Sequence, residues 1–377
     1  MKAKRNASVE LLRLFGILMI LGYHNMQTDL KLYSTYSFVT DFWTCFYCDC
    51  VPMFFMIMGF YLFNEKNTYE KVLKKMFFNI MIPVALLFIA YFYLYDWIIN
   101  GETLIESIKH PLSEYVAYFA SLAKFESPHD YTNHTWYLFL YIMVTLTFPV
   151  MKAFADYLDK DAKREKIFMA GTLGLFLVND LFSNGLMEFS YHTLGGVIPA
   201  FIMILWGHII YRHKDVFTGK KIYALYGELA LIGCNLVRTG IVRLLSDPTT
   251  LAMTNTHVKN WYGALGLINP VLMIIVAFNI IDGAADTKTN RVILALASIN
   301  LQMYLLHQIC IDWITAIGLR KLTTAFVRGY FPGKFGDFVL TFINTFITFI
   351  LTYILVFIVL GVKKLIIKCW SSRKKSA

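Results

Sequence analysis

Glu10-Leu-Leu-Arg-Leu-Phe-Gly-Ile-Leu-Met-Ile-Leu-Gly-Tyr-His24 decides how this chain folds and hints at what it does. The run is apolar enough to cross a membrane, yet it carries an acid, an arginine and a histidine. Arg13 and His24 are eleven residues apart, which on a helix is three turns plus about 20°, or about 16 Å along the axis. Both therefore project from one face, a fixed cation near one membrane surface and an imidazole near the other. An arginine at the bilayer centre costs about 2.5–3.5 kcal/mol on insertion scales, so such a stripe faces a protein-lined or watery interior. It reads as a site.

The composition agrees with a membrane chain. Of 377 residues 57% are hydrophobic and only 16% charged, with a mean hydropathy of +0.55; a soluble domain carries about a quarter charged residues. Apolar runs near 20 residues long fall at about 9–27, 42–63, 77–99, 135–155, 167–184, 193–211, 222–245, 261–281, 292–317 and 338–362. With the N-terminus inside, the cytoplasmic segments carry three times as many Lys and Arg as the outer loops. The expectation is an all-α, polytopic bundle of about ten transmembrane helices with both termini cytoplasmic. Residues 1–362 would form one transmembrane domain, and 363–377 a basic tail lying on the membrane surface.

The first segment follows Met1-Lys-Ala-Lys-Arg5 and superficially resembles a signal peptide. It holds Glu10 and Arg13 and offers no small-x-small cleavage site before Asn25, so it reads as a retained helix. The long connection at 100–134 would lie outside, with an amphipathic surface helix from Thr103 to Lys124. The net charge of +10 is spread between apolar runs, which makes nucleic acid an unsuitable partner.

Several polar residues invite chemistry. An imidazole titrates near neutral pH, so His24 is a candidate general base for a hydroxyl proton. Glu10 lies one turn from Arg13 and is expected to hold its guanidinium. Arg238 and Arg243 share one span but sit about 140° apart around it. The deeper, Arg238, is the candidate for binding an anionic group, and Arg243 is expected at the interface. His307 lies within the ninth span, with Asp312 after it, as a candidate for substrate binding or an interhelical hydrogen bond. Cys45, Cys48 and Cys50 form a Cys-x2-Cys-x-Cys cluster, but no histidine or further cysteine is near in sequence, so no metal is assigned. A Gly-x-Ser-x-Gly nucleophile motif is absent from the sequence.

These residues stand in an order that resembles the acyltransferase 3 family. Glu10, Leu-Leu-Arg13 and His24 match its first helix. Val51-Pro-Met-Phe-Phe-Met-Ile-Met-Gly-Phe60 matches the second, and Lys74-Lys-Met-Phe-Phe-Asn-Ile-Met-Ile-Pro83 the third. His134-Thr-Trp-Tyr-Leu138 and the late Tyr304-Leu-Leu-His307 follow in family order. The resemblance implies a membrane enzyme that moves acyl groups, usually acetyl, from cytosolic acyl-CoA to an extracytoplasmic or lipid-linked glycan. It implies no bound cofactor: acetyl-CoA would be the donor substrate. Two positions depart from the pattern. An Arg-x-x-x-Arg pair that the family often uses toward acyl-CoA is Lys75 and Asn79 here, and the serine before the glycine is Met58. Lysine meets a phosphate as a point charge without the arginine fork, so Lys71, Lys74 and Lys75 are expected to supply that charge jointly.

The function expected on this basis is O-acetylation of a cell-surface polysaccharide or its lipid-linked precursor, in a bacterial plasma membrane. Glycan-assembly proteins are potential partners. Arg13 and His24 would carry the chemistry, with His134, Trp136, Arg238 and His307 toward the acceptor. Trp136 also suits an aromatic membrane belt. The rival reading is a transporter or flippase for a lipid-linked glycan, whose path the same charges would line. Against it, the sequence offers no paired half-repeats with interrupted helices.

Overall fold

Asn6 starts the first helix. Its side-chain oxygen accepts from the amides of Ser8 (2.9 Å) and Val9 (3.3 Å), and Glu10 follows in the first turn, where a helix favours negative charge. The resulting α1 (Ala7–Tyr33) has 27 residues, a length of about 40 Å. It continues well beyond the expected 9–27, which brings Asp29 onto the helix with His24 and Asn25. The computed structural model describes residues 5–33, 38–86, 103, 105–106, 109, 113, 136–181, 196–245 and 263–376. Among them there is no strand.

Thirteen further helices follow among the described residues. They are α2 (Phe38–Cys48), α3 (Cys50–Leu62), α4 (Tyr69–Met76), α5 (Trp136–Leu146), α6 (Phe148–Leu158) and α7 (Ala162–Leu181). Then come α8 (Val197–Arg212), α9 (Lys221–Leu245), α10 (Ala264–Ile280), α11 (Lys288–Ala297), α12 (Asn300–Ala316), α13 (Leu319–Tyr330) and α14 (Lys334–Ser376). α1 is the hub, packed against α2, α3, α10, α11, α12 and α14.

Among the described residues, four stretches are long and apolar enough to cross a membrane unaided: Ala7–Asp29, Phe38–Leu62, Lys221–Leu244 and Phe335–Gly361. Two expected spans are not straight rods. The one at 135–155 is α5 and α6, bent by 67°, and the one at 292–317 is α11 and α12, bent by 59°. Pro149 lies just past the first break and has no N–H to continue the ladder of α5. At the second, the Ser298 hydroxyl donates to the Ala295 carbonyl at 2.6 Å and ends the turn. α8 and α10 are apolar but shorter. The span expected at 77–99 enters through a π-helical turn, Phe77–Met81, and from residue 87 lies outside the described residues. So does most of the expected surface helix at Thr103 to Lys124. The tail from 363 to 376 belongs to α14.

Close approach of α3 and α8 positions the core. A Cβ on Gly59 would lie 2.0 Å from the Ile204 carbonyl oxygen, and one on Gly207 would lie 2.1 Å from that of Met56. Only glycine fits at both, as small residues do where membrane helices touch. Pro52 sits in the first turn of α3, where its missing N–H removes no helix bond. On the outside, Phe342, Phe346, Ile350 and Ile354 of α14 form an exposed apolar stripe suited to lipid. A polar cluster ties the ends of α6, α7 and α8. There His208 meets Asp159 at 2.9 Å, His213 meets Glu165 at 2.7 Å, and Arg212 bridges both acids.

Candidate active site

The Glu10 carboxylate is buried at the start of α1 between two arginines, Arg5 at 2.7 Å and Arg13 at 2.8 Å. Its hydrogen bond to Arg5 raises that guanidinium further above its ordinary pKa, so the N-terminal cation is fixed. Arg13, as expected, is held by Glu10 one turn away. Its side chain is about a third exposed, and it is exposed into a cavity of about 400 Å³. Met58 and Tyr61 of α3, Lys75 of α4, and Tyr137 and Tyr141 of α5 share the lining. One end of the bundle therefore holds a chamber with two cations and several aromatic walls.

The three lysines divide. Thr68 caps α4 by accepting from the Lys71 amide, and this sets the helix's register. Lys75 then lies on the cavity side with Val72. Lys74 pairs with Glu70 at 2.7 Å on the solvent face, and the Lys71 ammonium donates to the Lys66 carbonyl at 3.1 Å. Asn79 is exposed within the π turn and does not line the cavity. Met58, where the family pattern has serine, does line it.

From the cavity a column of rings leads toward His24. Tyr137 lies 6.0 Å from Tyr304 between ring centroids, and Tyr304 lies 5.9 Å from His307. His307 in turn stands 5.1 Å from His24. His307 Nδ1 donates to the Tyr304 carbonyl at 2.6 Å, which fixes the orientation of the ring. His307 is fully buried, and His24 is half-buried against Tyr23. Two histidines far apart in sequence thus face each other at one end of a path whose other end holds Arg13. Trp136 packs beside Tyr137 at 6.3 Å, one ring away from the column. His134 lies outside the described residues.

The family model for an acyltransferase domain matches residues 6–361. The chain belongs to the acyltransferase 3 family. No match was found among curated proteins or solved structures. Family membership makes the protein a membrane acyltransferase.

Not every residue singled out in the sequence reaches the cavity or the ring column. Arg238 is fully buried, but Asp49 answers its charge at 2.7 Å and the Cys45 carbonyl at 2.9 Å. Asn269 completes the cluster by donating to the other Asp49 oxygen at 2.7 Å. The anion that Arg238 meets is thus Asp49, in the turn between α2 and α3. Arg243 pairs with Asp41 of α2. Asp312 accepts from Gln308 at 3.0 Å. Cys45, Cys48 and Cys50 surround the Asp49 break and form no disulfide with one another. Two contributors went unnoticed in the sequence. Tyr137 stood inside a quoted motif without a role. Arg320, counted only as a loop charge, is 1% exposed and bound to Asp29 and Asn25 of α1.

Proposed function

We propose that the protein transfers an acyl group, acetyl by preference, from cytosolic acetyl-CoA to a hydroxyl of a cell-surface or lipid-linked polysaccharide. The observation that carries this reading is continuity. The cavity that holds Arg13 and Lys75 has Tyr137 as a wall, and Tyr137 begins the ring column that ends at the His307–His24 pair. Acyl-CoA is an anion with a long neutral arm, which suits a chamber with cations at its rim and aromatic walls.

In this reading Arg13, held by Glu10, meets a phosphate of CoA or polarises the thioester carbonyl, and Lys75 adds a second charge. His24 takes the proton of the acceptor hydroxyl. The oxygen attacks the thioester carbon, the C–S bond breaks, and the sulfur leaves as thiolate to be protonated by the imidazolium. The products are the O-acyl sugar and free CoA. A relay through an acylated imidazole needs the same base at the same place. His307 lies beside His24 and orients it, and His134 and Trp136 lie in the chain where the acceptor would approach.

The interruptions within 135–155 and 292–317 remove one objection to a transporter, since broken helices are common in such proteins. Family membership favours transfer. The test is NMR of purified surface polysaccharide from a deletion strain complemented with wild type or His24→Ala at equal membrane levels. Acetyl signals that vanish on deletion and return only with wild type support the reading. A polysaccharide unchanged in acetylation but reduced in amount transfers the case to transport. Full acetylation with His24→Ala removes the base assignment.

A further inference from the structure

Arg320 is the most extensively bonded cation in the described part of the protein that the reaction does not use. It is 1% exposed, and it ties three helices together. Nη1 donates to Asp29 Oδ1 at 2.5 Å and Nη2 to Asn25 Oδ1 at 2.6 Å, both on α1. Nε donates to Thr315 Oγ1 at 3.1 Å, on α12. From α14, Asn344 donates to both Asp29 oxygens at 3.2 Å, and the Thr348 hydroxyl lies 3.1 Å from the Asn25 amide nitrogen. The site already described explains none of this.

The location gives the network a purpose. Asn25 directly follows His24 on α1, and Thr315 lies on the same helix as His307, two turns plus about 80° further on. Asn25 and Asp29 are four apart, so they present one face of α1 to the guanidinium. Arg320 thus grips the helix of one histidine with Nη1 and Nη2 and the helix of the other with Nε. Gly318, at φ +75° between α12 and α13, turns the chain back so that Arg320 can reach both. A guanidinium suits such a post because its donors are fixed in one plane.

We infer that Arg320 is a positioning residue that sets the spacing and facing of His24 and His307, without touching the reacting atoms. The inference deepens the acyltransferase reading and rests on it for the consequence in turnover. Its structural half does not depend on which reaction the histidines serve. With Arg320 neutral, α1 would lose its tie to α12 next to His24, while Arg13 and Lys75 at the other end would keep their places.

The full-length protein in nanodiscs allows both halves to be read. Arg320→Gln, Arg320→Lys and Thr348→Val are compared with wild type in three measurements. These are acetyl-CoA binding, O-acetyl transfer to the surface polysaccharide, and the rate of His24 carbethoxylation by diethyl pyrocarbonate, followed by peptide mass spectrometry. Arg320→Gln is expected to bind acetyl-CoA within twofold of wild type, to transfer at least tenfold more slowly, and to change His24 labelling at least threefold. Arg320→Lys, which keeps a charge for Asp29, should recover transfer to within threefold. The inference is overturned if Arg320→Gln leaves His24 labelling unchanged, or if acetyl-CoA binding falls in step with transfer. Should Arg320→Gln not accumulate, Thr348→Val decides: altered His24 labelling with unchanged acetyl-CoA binding supports the inference, and unaltered labelling overturns it. If wild type transfers no acetyl group while His24 labelling still responds to Arg320, the positioning stands and the acetyl-transfer reading fails.

Discussion

Among the arginine–carboxylate pairs inside this bundle, two make a direct contrast. Arg238 and Asp49 are both fully shut in, with a second partner on each side: the Cys45 carbonyl for the cation and the Asn269 amide for the anion. Arg13 and Glu10 form a pair at nearly the same separation, 2.8 Å against 2.7 Å, yet Arg13 keeps about a third of its side chain open to a cavity. The bond length does not separate them. What separates them is whether the cation has donors left facing empty space. A closed pair holds helices together, and an open pair can receive a ligand.

The largest effect comes from breaking the closed pair. Asp49→Ala would leave Arg238 buried without its anion, a cost of about 3–5 kcal/mol for an uncompensated charge. The expected outcome is little folded protein in size-exclusion chromatography of the detergent extract. The double variant Asp49→Leu/Arg238→Met removes both charges and should restore folding together with acetyl transfer, because isolated burial of neither charge remains. If the double variant folds but does not transfer, Arg238 has a role in the reaction and the contrast between the two pairs collapses.

Next in size is the open pair. Arg13→Ala should fold and reach the membrane like wild type, because its guanidinium already faces a cavity. Acyl transfer should fall about 10²–10³-fold, the loss typical of a donor that stabilises developing charge. Glu10→Gln keeps the shape but frees Arg13 to swing, and a loss of about tenfold is expected. Initial rates at saturating acetyl-CoA and unchanged elution profiles check both. A folding defect in Arg13→Ala would place this pair with the other.

Much of this was legible in the sequence, for physical reasons. Apolar length picks out helices able to cross a membrane, and an i,i+3 acid and base on one helix lie within reach of each other, as Glu10 and Arg13 do. The ordered motifs announced the family. Pairings between distant segments were not legible, since hydropathy says nothing about which helices touch. Arg238 looked like a ligand site because its partner Asp49 lies 189 residues away, in the break between α2 and α3. Arg320 looked like a loop cation because α1 was expected to stop before Asp29. The breaks at 147 and 298–299 were invisible because apolar runs continue through them. His307 is the intermediate case: its position in a span was plain, but only the packing of α12 on α1 brings it to His24.

The smallest effects concern the lysines, and they sharpen the same contrast at the surface. Lys75 lines the cavity with Arg13, whereas Lys74 is spent on Glu70 in an exposed pair and Lys71 on a carbonyl of its own loop. A charged hydrogen bond to a phosphate is worth about 1.5 kcal/mol, so Lys75→Ala should raise KM for acetyl-CoA about tenfold with kcat little changed. Lys74→Ala and Lys71→Ala should stay within about twofold, because exposed pairs contribute little and water replaces them. Raising salt should weaken acetyl-CoA binding in wild type more than in Lys75→Ala, since the variant has one cation fewer to screen. Equal effects from all three lysines would mean that CoA is recognised by a diffuse basic surface. In that case the open side of Arg13 would be the only specific cation in the chamber, and the comparison between the two arginine pairs would rest on it alone.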